Sequence, residues 1–184
     1  MMRPQNVLFG YLPGTVKVSG REYAVNIGFR TWLEAGEIMK SDEAPERKAA
    51  KIAKICYKDN RPENMGLALS GAICFYRGAF PQYKSRGGRS ADFSPDFDGK
   101  VIYSGFMKAY GIDLAADNIH WYRFAPLLFE LSDCAFSKIM EYRGADLSKV
   151  KGGMHGFYAK MKHCFALPSP YSDNDFAQSL FDIF

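Results

Sequence analysis

The densest group of side chains that could bind a metal is the acidic segment DFSPDFDG, residues 92–99. A calcium loop that begins at Ser94 requires a bidentate Glu at its twelfth position, but that position is Gly105. We therefore predict no calcium site in this segment. Asp96 and Asp98 are better suited to the first turn of a helix, where negative charge is favourable.

Cysteine and histidine give no recognisable metal or redox motif. The cysteines are far apart, none forms a C-x-x-C pair, and each lies among apolar residues of a helical pattern. His120 is predicted to lie in the first turn of a buried helix with its ring hydrogen-bonded locally, a structural role rather than a catalytic one. We predict buried free thiols, as in a reducing cytoplasm, at Cys56, Cys74, Cys134 and Cys164.

No residue pattern identifies an enzyme. The sequence contains no G-x-S-x-G nucleophile context, no Walker loop and no dinucleotide-binding glycine fingerprint. Glu130 and Glu141 could face each other from neighbouring helices, but nothing else supports a pair of catalytic acids. We expect neither catalysis nor a cofactor nor a metal.

Composition and charge narrow the class of protein further. The 184 residues are 47% hydrophobic and 24% charged, which is typical of a globular protein that needs no metal or disulfide to fold. The apolar stretches are too short for a membrane span, and the N-terminus lacks the apolar run of a secretory signal. A net charge of +4 with interspersed signs does not favour nucleic-acid binding.

The fold predicted to position these residues is mainly α, a compact bundle of about six to seven helices with a small N-terminal β-hairpin. Alternation of apolar and polar residues on both sides of a Gly turn predicts the hairpin. Apolar residues at helical spacing predict the rest. One domain is predicted over residues 1–184, with a hairpin at 15–28, a helical core at 29–167 and a tail segment at 168–184.

Capping residues predict where each helix begins, and apolar residues at helical spacing predict which side of it is buried. The central helix is apolar nearly all round, and Pro126 inside it is expected to kink or divide it. The predicted starts are Pro62 with Glu63, Ser94 with Pro95, Asp117 or Asn118, and Ser132 with Asp133. The predicted inward stripes are Met65, Leu69, Ala72, Ile73 and Tyr76; Tyr103, Phe106, Met107 and Tyr110; Trp121, Phe124 and Leu128; Phe136, Ile139 and Met140; and Met154, Phe157, Tyr158, Met161 and Phe165.

Charge is uneven in three places. Each basic group is interpreted as a solvated surface, with a basic docking face on the helix, or a nucleic-acid-binding surface that includes the Arg86–Arg89 loop, as the alternative. The acidic group follows the last predicted helix. These groups are the helix face Arg47, Lys51, Lys54 and Lys58, the stretch Arg77, Lys84, Arg86 and Arg89, and the tail acids Asp173, Asp175 and Asp182.

Two aromatic segments resemble a family of small proteins from phages and prophages of Gram-positive bacteria, the bacteriophage gene product 15 family. The similarity extends over roughly residues 20 to 165 and omits the SRGGRS loop and the tail. Tyr122 stands where a Trp is expected. The residues that carry it are His120, Trp121, Phe124, Leu127, Leu128, Tyr142 and Arg143, preceded by Asp96 or Asp98, Ile102, Tyr103, Phe106, Tyr110, Ile112, Asp113 and Leu114.

The resemblance implies a place in phage tail morphogenesis, in the bacterial host cytoplasm. Genes of this kind typically lie between those for the major tail protein and the tape-measure protein, where tail assembly chaperones are encoded. The implied partners are the tape-measure protein, the major tail protein and a further copy of the chain as a homo-oligomer, with neither membrane nor nucleic acid. A helical protein could cover apolar tape-measure helices by helix-in-groove contacts without any active site.

Three alternatives remain open: a structural head–tail or tail-completion protein retained in the virion, a nucleic-acid-binding module, and an enzyme. The tail segment offers candidate partner-binding residues, because its large apolar side chains recur at helical spacing. A helix of this length is marginal in water, so it must dock on its own core or on another protein. The candidate residues are Phe176, Leu180, Phe181 and Phe184.

Overall fold

The computed structural model of the chain describes residue 8 and residues 10–80 and 93–168. Within those residues the chain forms one two-stranded sheet and seven α-helices, which confirms the mainly α prediction. No helix in this described part is both long and apolar enough to span a membrane. The elements are β1 (Thr15–Val18), β2 (Arg21–Ala24), α1 (Phe29–Lys40), α2 (Pro45–Cys56), α3 (Met65–Gly78), α4 (Pro95–Tyr110), α5 (Trp121–Phe129), α6 (Ala135–Gly144) and α7 (Met154–Cys164).

The hairpin forms at the predicted turn but is shorter than predicted. Ser19 and Gly20 have φ values of 47° and 84°, the left-handed pair that suits a two-residue hairpin turn. Strand β2 ends at Ala24 rather than near residue 28, because the next residues pair elsewhere. Val25 still donates its N–H to the Gly14 carbonyl at 3.0 Å but also forms a bridge with Tyr57, and the Asn26 N–H then donates to the Cys56 carbonyl at 2.8 Å.

The chain divides into two compact units. Unit 1 comprises Met1–Gln82 and Ala115–Glu130, and unit 2 comprises Tyr83–Leu114 and Leu131–Phe184. Unit 1 therefore contains the hairpin, α1, α2, α3 and α5, and unit 2 contains α4, α6 and α7. The single domain over residues 1–184 stays a prediction.

Unit 1 is held together by aromatic side chains. Trp32 stacks on Phe75 with ring centroids 4.6 Å apart, and Phe75 meets the edge of Tyr122 at 5.0 Å. Phe29 stacks on Phe124 at 4.6 Å. Each such pair contributes about 0.5–1.5 kcal/mol beyond its buried area, so the cluster fixes α1, α3 and α5 against one another.

Helix α3 packs closely against the hairpin, and this moves its buried stripe away from the predicted one. A β-carbon at Gly71 would lie 2.6 Å from a methyl group of Val18, so only glycine permits this approach. Ala72 and Ile73 are buried as predicted, and Ala68, Gly71 and Phe75 are buried with them, whereas the predicted Met65, Leu69 and Tyr76 are half-buried.

Three helix starts also differ from prediction, because a later side chain caps the helix. Asn64 caps α3 by accepting the Leu67 N–H at 3.0 Å, so Pro62 and Glu63 precede the helix. Helix α5 begins after His120, later than Asp117 or Asn118. Helix α6 begins after Cys134, since Asp133 has a φ of 52° and cannot be helical. Pro126 lies within α5 and does not divide it.

Other predicted inward residues are more exposed than expected. Tyr103 and Met107 lie on the exposed side of α4, whose buried residues are Asp98, Ile102, Gly105 and Phe106. Ile139 and Met140 of α6 are half-buried. The thiol prediction holds for Cys56 but is wrong for Cys74 and Cys164, which are exposed, and Cys134 is half-buried.

Candidate interaction surface

His120, the first residue of the aromatic segment, is a structural residue of unit 1. Its Nδ1 accepts the Tyr122 N–H at 3.0 Å, which caps α5, and its Nε2–H donates to the Pro13 carbonyl at 3.0 Å. Both bonds together require the neutral ring protonated on Nε2. Burial lowers the pKa of His120, which favours the same neutral form. The predicted local hydrogen bond is thus confirmed.

The residues that follow His120 form the core of α5. Trp121, Phe124 and Leu128 are all buried, as predicted. Trp121 stacks on Tyr76 with centroids 5.1 Å apart and donates its indole N–H to the Tyr76 carbonyl at 3.0 Å. Burial also raises the pKa of Tyr76 to about 12. These contacts fix α5 against α3.

Asp98 and Arg143 form the central polar contact of unit 2. The guanidinium meets both carboxylate oxygens, at 2.7 and 2.9 Å, and its Nε–H donates to the Phe165 carbonyl at 2.6 Å. Asp98 also accepts the Ser94 N–H at 3.0 Å, at the start of α4. One ion pair therefore joins α4, α6 and the end of α7, and Asp98 serves the helix start that the sequence predicted for it.

Tyr142, next to Arg143, anchors α7 by one edge. Its ring lies 5.9 Å from that of Phe157, 5.7 Å from that of Tyr158 and 5.9 Å from that of Phe165. The Tyr158 hydroxyl donates to Glu141 at 2.6 Å. Helix α7 is therefore fixed along the side that faces α6.

Close to these contacts, α7 carries an apolar stripe that the described residues cover only in part. Met154 is 53% exposed and Phe157 is 44% exposed, and no residue of α7 is buried. We call Met154, Phe157, Met161 and Cys164 the α7 seam. Their spacing of three, four and three residues is that of the contact positions in a coiled coil.

The α7 seam lies in a strongly basic part of the chain. Residues 147–168 contain four lysines and no acidic residue. Lys160 is exposed beside Phe157 and Cys164 on the helix surface. A helix that is apolar along one side and acidic at its margins would match this surface in both hydrophobicity and charge.

The other surfaces predicted from the sequence offer no comparable apolar stripe in the described part of the chain. Arg47, Lys51 and Lys54 are exposed on α2, in agreement with a solvated face, whereas Lys58 is exposed beyond the end of the helix at Cys56. The tail residues Phe176, Leu180, Phe181 and Phe184 and the Arg86–Arg89 loop lie outside the described residues. In the described ranges, no group of three or more His, Cys, Asp or Glu side chains could hold a metal ion.

The exposure of the α7 seam was not predicted, although the sequence carries a sign of it. The helix and its apolar stripe were predicted, but the stripe was assigned to the core. The cluster of lysines without acids was the sign that this helix could lie at the surface, since four like charges around one short helix favour solvent.

The comparisons with known proteins identify one family. The family model described as "Bacteriophage Gp15 protein" matches residues 8–167, which include every helix described above. No curated protein and no solved structure matches the chain.

Proposed function

The chain belongs to the bacteriophage Gp15 protein family, and from this membership we propose that it is a non-catalytic tail assembly protein of a phage. It acts in the cytoplasm of the bacterial host as a chaperone. Its partner is the tape-measure protein, whose apolar helices it covers before the tail tube closes around them. The major tail protein and a further copy of the chain are secondary partners.

The exposed α7 seam is the observation that supports this proposal. A chaperone for a long amphipathic helix needs an apolar strip that runs along a helix and stays accessible in the free protein. Met154 and Phe157 provide partly exposed apolar surface on α7, and Tyr142, which contacts Phe157 and Tyr158, holds the helix against α6. Several side chains that carry the family resemblance, among them Trp121, Phe124 and Phe106, are by contrast buried in the cores of the two units.

Co-expression with the tape-measure protein of the same phage tests the proposal. The wild-type chain is expected to keep the tape-measure protein soluble and to copurify with it. Phe157→Asp should abolish both effects, because loss of a central interface aromatic costs about 2 kcal/mol or more, roughly thirtyfold in affinity. Phe129→Asp is the matched control, since Phe129 is 58% exposed on α5 of unit 1. Equal loss with both variants, at unchanged melting temperature, would refute the assignment to α7.

Purified virions distinguish a chaperone from a retained structural protein. A chaperone leaves the tail before completion, so the chain should be undetectable in virions by mass spectrometry. Stoichiometric amounts in the virion would instead support a head–tail or tail-completion component.

A further inference from the structure

The polar side of α2 carries three basic side chains in a row. Arg47, Lys51 and Lys54 are exposed and follow one another at intervals of four and three residues, which places them on one side of the helix. Ala50, also exposed, lies between Arg47 and Lys54 on the helix surface. We call Arg47, Ala50, Lys51 and Lys54 the α2 face. The row is about 10 Å long, since each residue advances a helix by about 1.5 Å.

The opposite side of α2 is fixed to the rest of unit 1. At the end of the helix, the Cys56 carbonyl accepts the Asn26 N–H at 2.8 Å. Just beyond it, the Lys58 N–H donates to the Ala24 carbonyl at 3.1 Å. The α2 face is therefore held in one place at the surface of unit 1. The buried residues of α2 are Ala49, Ile52, Ala53 and Cys56.

This arrangement of like charges is not the one that favours the helix. Equal charges three or four residues apart destabilise a helix slightly, and Lys51 stands in this relation to both Arg47 and Lys54. A glutamate at one of the three positions would remove the repulsion, but the only acidic residue of α2 is Glu46 in its first turn. A departure from local helix preference with no gain for the fold is typical of residues that bind a partner.

The positive charge of the α2 face is compensated at one position. Lys51 pairs with Glu43, which precedes α2, at 2.5 Å. In the part of the chain that the structure describes, neither Arg47 nor Lys54 forms an ion pair with an acidic side chain. A carboxylate therefore already contacts one member of the row, and the other two members can receive carboxylates of another molecule.

The row matches an acidic helix better than a nucleic acid. A helix with acidic residues at the same intervals presents its carboxylates in a complementary row, and the small side chain of Ala50 lets it approach closely. A nucleic acid needs a broad basic surface, whereas Glu43 and Glu46 place negative charge at the N-terminal end of this one. The net charge of the whole chain, +4, is also low for a protein that binds nucleic acid.

We propose that the α2 face binds an acidic helix of a partner protein through ion pairs with Arg47, Lys51 and Lys54. The surface belongs to unit 1 and does not include α7, so this inference does not rest on the proposed function. The binding is weak and sensitive to salt, because exposed ion pairs are screened by water and ions.

Binding of a synthetic peptide to the full-length protein tests this inference. The probe is an alanine-rich helical peptide with glutamates at intervals of four and three residues, labelled with an uncharged dye. Fluorescence anisotropy at low salt measures its affinity. Arg47→Gln/Lys51→Gln/Lys54→Gln should weaken binding about tenfold, since three exposed ion pairs together contribute roughly that much. No loss of affinity in this variant would overturn the proposal.

A matched control separates the row from charge in general. Lys17→Gln/Arg21→Gln/Lys100→Gln removes the same charge from exposed positions on the hairpin and on α4, and should leave the affinity unchanged. Equal losses in the two triple variants would overturn the proposal. A peptide of the same composition with its glutamates spread around the helix should bind more weakly, and equal binding of the two peptides would contradict recognition of a row.

A charge exchange gives an independent test that does not depend on loss of binding. Arg47→Glu/Lys51→Glu/Lys54→Glu should bind the peptide in which lysines replace the glutamates and should no longer bind the glutamate peptide. Failure of this exchange would overturn the proposal. Double-stranded DNA is the last probe: if DNA binds more tightly than the glutamate peptide and the glutamine variant loses that binding, the α2 face recognises phosphate and the acidic helix is not its partner.

Discussion

Removal of Arg143 tests the ion pair that organises unit 2. The side chains of Arg143 and Asp98 are 11% and 4% exposed, so neither charge is solvated by water to a useful degree. In Arg143→Met, Asp98 keeps the hydrogen bond from the Ser94 N–H but loses both bonds to the guanidinium. A buried carboxylate left without its partner costs about 3–5 kcal/mol.

This loss should be easy to measure. For a chain of this size, 1 kcal/mol corresponds to about 2–4 °C in melting temperature, so Arg143→Met should melt roughly 6–20 °C lower. Urea unfolding followed by circular dichroism gives the free energy of unfolding directly. Adding Asp98→Asn should recover much of the loss, because asparagine accepts the Ser94 N–H without a buried charge.

A matched control separates burial from the mere presence of an ion pair. Lys149 and Asp146 form a pair at 3.1 Å whose side chains are 76% and 51% exposed. Lys149→Met should leave the free energy of unfolding unchanged within error, because water screens an exposed pair. If Arg143→Met costs no more than Lys149→Met, the buried ion pair does not hold α4, α6 and α7 together.

Three further predictions concern unit 1 and metal binding. Leu128→Ala should lower the free energy of unfolding by about 2–5 kcal/mol, through lost apolar contact and the cavity left behind, as measured by urea unfolding. Burial lowers the pKa of His120 below its ordinary 6.5, so the unfolded state binds the proton more readily, and stability should fall as pH drops below about 6.5. His120→Asn, which retains a capping group without titrating, should flatten that part of the pH profile. Chelators should leave the melting temperature unchanged, and a metal present at stoichiometric level in protein purified without added metal would contradict this.

The sequence predicted those features that depend on local chemistry. The Ser19-Gly20 turn requires two left-handed residues, and the central stripe of Trp121, Phe124 and Leu128 follows from helical spacing. The predicted helix starts were less accurate where the helix is capped by a residue that is seldom found at that position. His120 and Cys134 occupy cap positions, and the usual capping residues that precede them drew the prediction one to three residues too early.

The predicted buried stripe of a helix was partly wrong where the neighbouring element determined which side of that helix is buried. In α3, Gly71 is buried because the hairpin approaches that side closely, a contact that helical periodicity cannot reveal. In α4 the buried side is set by the position of Asp98, which must face Arg143. Predictions from apolar spacing favour the largest side chains, whereas here the closest contacts need the smallest ones.

The residues that carry the family resemblance and the residues that could bind a partner are different sets. His120 caps α5, Trp121 is buried in unit 1, and Arg143 is paired in unit 2, so the resemblance reports how the chain folds. A surface for a partner must lie where apolar side chains remain uncovered once these contacts are made. Helix α7 meets that condition, because its pattern predicts a core helix while Met154 and Phe157 stay exposed.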